Sequence, residues 1–276
     1  MNDGARQGTG TGDVVLVGAG KMGGALLRGW VGRGWSSRLT VIDPAPAPAL
    51  VADAARHGFR LAASPEGLPK AATLVLAVKP QMLDAVTPSL AALCGPDTLL
   101  ISIMAGKTAA DLSARLPGRV VRAMPNTPAA VGRGVTGAFA AAGVDADGVA
   151  RATALLEAVG TVEWLPDEGL IDAVTAVSGS GPAYVFHLVE ALAEGGVALG
   201  LEAAQAERFA RATVAGAGAL LDAEAGTGAD ELRRNVTSPG GTTAAALGVL
   251  MGEGALTTLM REAVRAARDR ARELAG

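Results

Sequence analysis

Two threonine hydroxyls follow a pair of glycines late in the chain, and this combination could bind a small anion. The segment from Ser238 to Thr243 reads Ser-Pro-Gly-Gly-Thr-Thr and leads into an alanine-rich stretch that predicts a helix. The first N–H groups of a helix have no partners within it, and Gly240 and Gly241 have no Cβ to keep a ligand away. We therefore expect a site for a small anion beside the hydroxyls of Thr242 and Thr243. The alternative is an ordinary capped helix start, because helix N-termini serve both purposes.

A second glycine-rich turn lies near the beginning of the chain and has the spacing of a dinucleotide-binding loop. It follows the apolar run 14–17 and consists of Gly18, Ala19, Gly20, Lys21, Met22 and Gly23. In this motif the first glycine makes a tight turn, the second lets a pyrophosphate approach the backbone, and the third allows close packing of helix on strand. The next predicted strand, 39–42, ends at Asp43, where a ribose-binding carboxylate is expected. Together these features predict dinucleotide binding.

Two polar residues follow the carboxyl ends of later predicted strands, where open parallel sheets bind their ligands. Lys79 follows the strand 74–78 and could contact the ribose or a phosphate of the cofactor, although a solvated lysine is the commoner case. Asn126 lies between Pro125 and Pro128, which stiffen the loop. We expect Asn126 to contact a nicotinamide carboxamide, and the alternative is an Asx turn.

The elements that must position these residues fall into two predicted domains. Alternating strand and helix patterns over residues 13–166 predict a Rossmann-type, doubly wound and mostly parallel sheet, including a short helix that opens at Ser64. Residues 167–276 contain only helical patterns, so the predicted fold class is α/β followed by an all-α domain. Its alanine- and valine-rich faces favour dimerisation, with a compact monomeric bundle as the alternative. Residues 1–12 are predicted to be a flexible leader.

Composition excludes several functional classes. A net charge of −3 gives no basic field for nucleic acid or an anionic membrane, and no run of about 18 uncharged apolar residues predicts a membrane span. The chain has one cysteine, Cys94, and two histidines, so neither an intramolecular disulfide nor a metal site of the usual zinc type is expected. The cytoplasm is the expected compartment.

Taken together, the motifs of this chain resemble those of the pyrroline-5-carboxylate reductases. The resemblance covers residues 14–274 and rests on Gly-Ala-Gly-Lys-Met-Gly (18–23), Ala-Val-Lys-Pro-Gln (77–81), Arg-Ala-Met-Pro-Asn-Thr-Pro (122–128), Ser-Gly-Ser-Gly-Pro-Ala-Tyr (178–184) and Ser-Pro-Gly-Gly-Thr-Thr (238–243). It implies reduction of the cyclic imine L-1-pyrroline-5-carboxylate to L-proline, the final step of proline biosynthesis, with NADPH or NADH. It also implies a homodimer through the helical domain and, in some relatives, a higher ring such as a decamer.

The resemblance also implies which residues bind the cofactor. Besides the turn at 18–23, the family's cofactor contacts correspond to Ala77, Val78, Lys79, Pro80, Ile103, Met104, Ala105 and Asn235. Ser64 occupies a position near the adenosine ribose, where many relatives carry asparagine. Asp43 stands where relatives that prefer NADPH often have small or basic residues, because a carboxylate would repel the 2′-phosphate. This difference favours the interpretation that NADH is usable here.

The substrate loop implied by the resemblance coincides with the anion site expected from the residues alone. It comprises Ser238, Gly240, Gly241, Thr242 and Thr243. Thr243 matches the threonine that hydrogen-bonds the ring nitrogen in the family, so it is the residue expected to act in catalysis.

Two other functions share part of this pattern. One is a dehydrogenase of the same architecture that acts on a small 3-hydroxy acid, but such enzymes usually present a catalytic lysine or histidine from the helical domain. Residues 167–252 contain no lysine and only His187, which on a largely apolar helix is more often packed than catalytic. The other is a non-catalytic dinucleotide-binding regulator, which would have no reason to keep a second anion site at Ser238.

Overall fold

The computed structural model describes residues 13–275 and divides them into two compact units. The first unit ends at Gly179 and takes in the chain again from Arg268, and the second comprises Ser180–Ala267. The predicted leader, residues 1–12, lies outside the described residues. Within the described residues, no helix has both the length and the apolar character needed to cross a membrane.

The first unit is built on a sheet of 8 strands in the order β3-β2-β1-β4-β5-β6-β7-β8. The strands are β1 (Val14–Val17), β2 (Leu39–Ile42), β3 (Arg60–Ala62), β4 (Thr73–Leu76), β5 (Leu99–Ser102), β6 (Arg119–Met124), β7 (Gly134–Ala140) and β8 (Gly160–Trp164). All neighbouring pairs are parallel except β6 and β7. The strand order reverses direction at β1, and this is the point where doubly wound sheets bind ligands. The predicted Rossmann-type sheet is confirmed.

Helices cover the sheet and explain why its central strands are apolar throughout. They are α1 (Lys21–Gly32), α2 (Pro48–His57), α3 (Leu83–Leu90), α4 (Ala109–Ser113), α5 (Ala146–Leu156) and α6 (Leu170–Val174). Every residue of β1, β4 and β5 is buried. Alternate residues of β1 enter two separate cores, so that Leu16 packs with Trp30 in one and Val17 with Leu83 in the other. Strands buried on both faces have this continuous apolar pattern.

Two local features of the first unit differ from the predictions. The short helix expected at Ser64 is a turn in which the Ser64 hydroxyl accepts a hydrogen bond from the Glu66 N–H at 3.4 Å. A helix cannot continue there because Gly67 adopts a φ of 70° and Pro69 follows. The second difference is the antiparallel strand β7, since the short 3-10 turn Thr127–Val131 is the only element between β6 and β7. A parallel connection would need a crossover of a dozen or more residues.

The compact first unit reaches Gly179, past residue 166, and the domain boundary expected at 166 stays a prediction. Helix α6 lies beyond that boundary but packs on the sheet, and a Cβ built on Gly137 of β7 would lie 2.8 Å from Val174 Cγ1. At the chain's end, Arg272 lies 3.5 Å from the Asp172 carboxylate. These contacts keep residues 167–179 and the last helical turns with the sheet.

The second unit contains only helices among the described residues, as predicted. They are α7 (Gly181–Ala198), α8 (Ala203–Ala223), α9 (Ala229–Asn235), α10 (Thr242–Leu250) and α11 (Leu256–Ala275), the last of which ends in the first unit. Helices α7 and α8 approach closely. A Cβ built on Gly196 of α7 would lie only 3.2 Å from the Cβ of Ala206 in α8. Within the described part of this unit, only Ala206 and Ala210 are buried. The helices therefore expose most of their apolar surface.

The one cysteine of the chain is expected to be unreactive in the folded protein. Cys94 is buried, and its burial raises the pKa of the thiol to about 11. Only the thiolate is nucleophilic, and at pH 8 it would be roughly one thousandth of the total even if reagents could reach it. Dithionitrobenzoate should therefore label the native protein slowly at pH 8 and label it fully in denaturing urea. Rapid stoichiometric labelling of the folded protein would contradict this assignment.

Candidate active site

The glycine-rich turn after β1 is compact because of its first and third glycines. Gly18 has a φ of 88°, and its N–H donates to the Ile42 carbonyl at 3.0 Å. A Cβ on Gly23 would lie 2.2 Å from the Gly18 carbonyl oxygen and 3.0 Å from Ala77 Cβ. No larger residue fits at either position without moving the backbone. The turn thus holds the start of α1 directly over the carboxyl ends of β1 and β4.

The second glycine of the turn leaves an open approach to the start of α1. Gly20 is the N-cap of α1 and provides no side-chain cap. A Cβ on Gly20 would meet nothing within 4 Å among the described residues. Gly20 and Lys21 are exposed, while Ala19 and Met22 are partly buried. Uncapped helix N–H groups beside open space fit the pyrophosphate of a dinucleotide.

The loops after β4 and β5 lie at the same edge of the sheet as this turn. The Ala77 N–H donates to the Val17 carbonyl at 2.9 Å, and the Ile103 N–H donates to the Leu76 carbonyl at 3.1 Å. Because β1, β4 and β5 are consecutive neighbours, the sheet brings together the three segments predicted to bind cofactor, 18–23, 77–80 and 103–105. Lys79 and Ala105 are exposed there, whereas Met104 is buried.

Asp43 and Ser64 follow the carboxyl ends of the two neighbouring parallel strands β2 and β3. The Asp43 N–H donates to the carbonyl of Ala62, the last residue of β3, at 3.0 Å. The Asp43 carboxylate accepts a hydrogen bond from the Ala45 N–H at 3.0 Å, which leaves it further acceptor capacity. The predicted ribose-binding carboxylate is therefore placed beside β1 at the edge that carries the glycine turn.

Asn126 has a structural role that its sequence context did not indicate. Its side chain is buried, and Nδ2 lies 3.3 Å from the Ser178 carbonyl and 3.2 Å from the Ser178 hydroxyl. Its Oδ1 accepts from the Val135 N–H at 3.0 Å. The side chain thus ties the loop after β6 to β7 and to the turn that precedes Ser180. The expected contact with a nicotinamide carboxamide remains a prediction, but these bonds already engage both ends of the amide.

Asn126→Ala is expected to lower the free energy of unfolding by about 1–2 kcal/mol. The change leaves the partly buried Val135 N–H without its acceptor, and an unsatisfied donor shielded from water costs more than a lost surface bond. Urea denaturation monitored by circular dichroism measures the effect. Ser178→Ala is the matched control, because it removes only one hydroxyl and should cost less than half as much. Equal stability of Asn126→Ala and the wild type would contradict the role assigned here.

A partly buried ion pair anchors the segment that leads out of the sheet. Arg122 in β6 is buried, and its Nη1 donates to Glu168 Oε1 at 2.9 Å. The same oxygen accepts from the Ala109 N–H at 2.7 Å, at the start of α4. Sequence reasoning missed Glu168, because its partner is 46 residues away and no local pattern connects them. The bond between Arg122 and Glu168 links the segment before α6 to β6, the strand that Asn126 follows.

The predicted substrate loop forms a tight turn between α9 and α10. Gly240 has a φ of 71°, and the Gly241 N–H donates to the Ser238 carbonyl at 3.0 Å. A Cβ on Gly241 would lie 2.5 Å from Ser238 Oγ, so the serine hydroxyl lies directly over this glycine. Gly241 is the N-cap of α10 and offers no side-chain cap. The first N–H groups of α10 therefore face outward beside the hydroxyl of Ser238.

The two threonines of this loop begin α10. Thr242 is exposed and Thr243 is half-buried, and Asn235 is the exposed last residue of α9. Backbone N–H groups, hydroxyls and the positive end of a helix dipole together suit a carboxylate. The second unit thus brings the predicted residues together at one helix start, and anion binding there stays a prediction.

His187, the histidine of the helical unit, is 81% exposed in the single chain, and its Nδ1 lies 3.0 Å from the Glu190 carboxylate on the same helix. This surface pair gives no support to a catalytic role for His187. In the described part of the chain there is no group of three or more residues that could hold a metal ion.

Comparison with known proteins places these features in one family. Residues 168–274 match the model described as pyrroline-5-carboxylate reductase dimerisation, and residues 13–106 match the one described as NADP oxidoreductase, coenzyme F420-dependent. Over 95% of its length the chain is 41% identical to the pyrroline-5-carboxylate reductase of Pseudomonas aeruginosa, of which it covers 96%. The chain belongs to the pyrroline-5-carboxylate reductase family.

Further members of the family support the same assignment. The chain is 48% identical to the pyrroline-5-carboxylate reductase of a Synechocystis species over 73% of its length, covering 74% of that protein. The solved pyrroline-5-carboxylate reductase of Coxiella burnetii matches with a TM-score of 0.89 at 36% identity, over 96% of this chain and 98% of that one. The Plasmodium falciparum enzyme, solved with NADP bound, matches with a TM-score of 0.79 at 26% identity, over 96% and 98% of the two chains.

Proposed function

We propose that this protein reduces L-1-pyrroline-5-carboxylate to L-proline with NADPH or NADH, the final step of proline biosynthesis. The observation that carries the proposal is the near full-length identity of 41% to a curated pyrroline-5-carboxylate reductase. The assay is oxidation of NADPH or NADH, each followed separately with racemic pyrroline-5-carboxylate. Turnover with at least one cofactor is expected, and its absence with both would overturn the proposal.

We assign cofactor binding to the first unit. The uncapped start of α1 at Gly20 would hold the pyrophosphate, and Asp43 would accept from a ribose hydroxyl. Lys79, exposed at the end of β4, adds a positive charge at the same edge. When bound, the reduced nicotinamide supplies the hydride that the imine carbon accepts.

We assign substrate binding to the loop before α10. The N–H groups at Thr242 and Thr243 would hold the substrate carboxylate, and the helix dipole adds about 0.3–1 kcal/mol to these bonds. The hydroxyl of Ser238, which lies over Gly241, would be a further donor. Fixing the carboxylate fixes the ring, so the chain contributes chiefly orientation and the exclusion of water.

The proposed reaction needs no strong general acid or base from the side chains. An imine accepts hydride best when its nitrogen is protonated, and an iminium that arrives from solvent already carries this proton. Thr243 would hydrogen-bond the ring nitrogen and thereby orient the ring. The hydroxyl of Thr243 is only a weak general acid. The helical unit fits this proposal, because its described residues contain one histidine, His187, which is exposed and paired with Glu190.

Asp43 is proposed to make NADH a usable cofactor. Its carboxylate would repel a 2′-phosphate, so Asp43→Ser should raise kcat/KM for NADPH relative to NADH by roughly tenfold, the effect of about 1.4 kcal/mol of charge repulsion. Steady-state kinetics with both cofactors measure the ratio. Asp147→Ser, which removes an exposed carboxylate from the first turn of α5, should leave the ratio unchanged. An unaltered ratio in Asp43→Ser would refute the assignment.

We further propose that the second unit forms a homodimer. Its described helices expose large apolar side chains, including Val185, Phe186, Leu188, Leu192, Leu199 and Phe209. Exposed apolar patches of this kind are typical of an interface. Light scattering after size-exclusion chromatography should give a dimer for the wild type and a smaller species for Phe186→Asp, and it distinguishes a dimer from a higher ring such as a decamer. Val131→Asp, at a 76% exposed position of the first unit, is the control.

The proposed reaction is assigned to the cytoplasm. The single cysteine is a free thiol, and the chain uses no disulfide for its stability. Cell fractionation followed by the same assay would test this placement, since activity recovered with the extracytoplasmic fraction would contradict it.

A further inference from the structure

A cleft of about 380 Å³ lies at the edge of the sheet opposite to the residues proposed to bind the cofactor. It is lined by Lys70, Ala71, Ala72, Gly95, Pro96, Asp97, Thr98, Arg119 and Arg151. These residues surround the amino ends of β4, β5 and β6, whereas Gly18 and Lys79 follow the carboxyl ends of β1 and β4. A strand of the length of β4 separates the two edges by about 13 Å. A ligand in this cleft would not overlap the cofactor site.

Three cationic side chains from three different elements converge on the cleft. Lys70 precedes β4, Arg119 begins β6 and Arg151 lies in α5. The ammonium of Lys70 lies over Gly95, as shown by the 3.6 Å between Lys70 Nζ and a Cβ built on Gly95. Asp97 is the single carboxylate of the lining, and Asp145 pairs with Arg119 from outside it, so the three cations outnumber these two carboxylates by one.

The two guanidinium groups are held in place and keep unused donors. Arg119 bonds the Asp145 carboxylate through Nη1, and its Nη2 donates to the Asp97 carbonyl at 3.1 Å. Arg151 Nη1 lies 3.4 Å from the Ala72 carbonyl. In both residues Nε is buried and has no acceptor within residues 13–275. These Nε–H groups are too buried to meet a ligand in the cleft. A guanidinium carries five N–H donors, however, so Nη–H groups remain in both residues after these bonds and can donate to an anion in the cleft.

We propose that this cleft binds a phosphate group, as inorganic phosphate or as a phosphomonoester. Guanidinium groups held in fixed orientation match the tetrahedral oxygens of phosphate, and a lysine adds a point charge. The bonds from Asp145 and the backbone carbonyls restrain Arg119 and Arg151 before any ligand arrives, which lowers the entropic cost of binding. The proposal goes beyond the reductase activity, because none of these residues belongs to the cofactor turn or the substrate loop.

The test is a calorimetric titration of the full-length protein saturated with NADP⁺ and L-proline, which occupies the catalytic anion sites. Inorganic phosphate should bind saturably with one site per chain, and chloride at the same ionic strength should not. Glycerol phosphate in a parallel titration distinguishes a phosphomonoester ligand from free phosphate, since the better ligand binds with the lower Kd.

Two variants decide whether binding occurs in this cleft. Lys70→Ala, at an exposed position, and Arg151→Gln, which keeps a polar side chain of similar reach, should each weaken phosphate binding at least tenfold. Arg38→Ala removes an exposed charge that precedes β2 at the same edge and should leave the affinity unchanged. Equal affinity in the wild type and both cleft variants, or a titration that never saturates, would overturn the proposal.

Discussion

Thr243→Ala is expected to lower the turnover of pyrroline-5-carboxylate by roughly ten- to a hundredfold while the affinity for cofactor is retained. The hydroxyl is the one side-chain donor proposed to contact the reacting nitrogen. The backbone N–H at this position remains in the variant, so binding of the substrate carboxylate should change less than kcat. Steady-state kinetics, together with a fluorescence titration of NADPH, separate the two effects.

Two further substitutions at the same position isolate the hydroxyl. Thr243→Ser keeps it and should retain most of the turnover, whereas Thr243→Val keeps the shape and should behave like Thr243→Ala. The residue is half-buried at the start of α10, so neither change should unfold the protein. Wild-type turnover in the alanine variant would remove Thr243 from the mechanism.

Gly20→Val should weaken cofactor binding by roughly ten- to a hundredfold without destabilising the fold. A side chain at this position projects into open space, and the backbone has a φ of −64°, which any residue adopts. It would therefore cost little in the free protein but would occupy the approach to the N–H groups of α1. Loss of one charged hydrogen bond corresponds to about 1.5–3 kcal/mol, which sets the expected range.

Gly23→Ala is the informative comparison for that variant. Its Cβ would lie 2.2 Å from the Gly18 carbonyl oxygen, so the turn itself must move. This variant should lose both cofactor affinity and thermal stability, whereas Gly20→Val should lose only affinity. Thermal denaturation measured alongside the NADPH titration distinguishes them, and a lowered Tm in Gly20→Val would show that the open space is needed by the fold rather than by the ligand.

Features set by neighbouring residues were predicted well from the sequence. The Gly18 turn depends on a strand, a turn and a helix that are contiguous, and the substrate loop likewise places Gly240 and Gly241 directly before α10. The turn at Ser64 was also local, and Gly67 followed by Pro69 could have indicated it. Helix α9 was missed because it is only 7 residues long and shows no clear apolar periodicity.

Features set by distant residues could not be predicted in the same way. The bonds of Asn126 join it to Ser178, 52 residues away, and the ion pair of Arg122 with Glu168 spans 46 residues. Neither separation produces a periodic pattern, and both pairs exist only because the chain reverses after β6 and returns along β7. The polar residue types were visible in the sequence, but their partners were decided by this topology.

Helix α10, which begins with the proposed substrate threonines, has no buried residue in the single chain. A helix of nine residues is too short to be stable in water on its own and depends on packing against other elements. If its apolar surface is covered only after subunits associate, the order of the substrate loop follows mass action. Specific activity should then fall on dilution below the dissociation constant of the dimer and recover on reconcentration, so that protein concentration itself would set the fraction of competent sites.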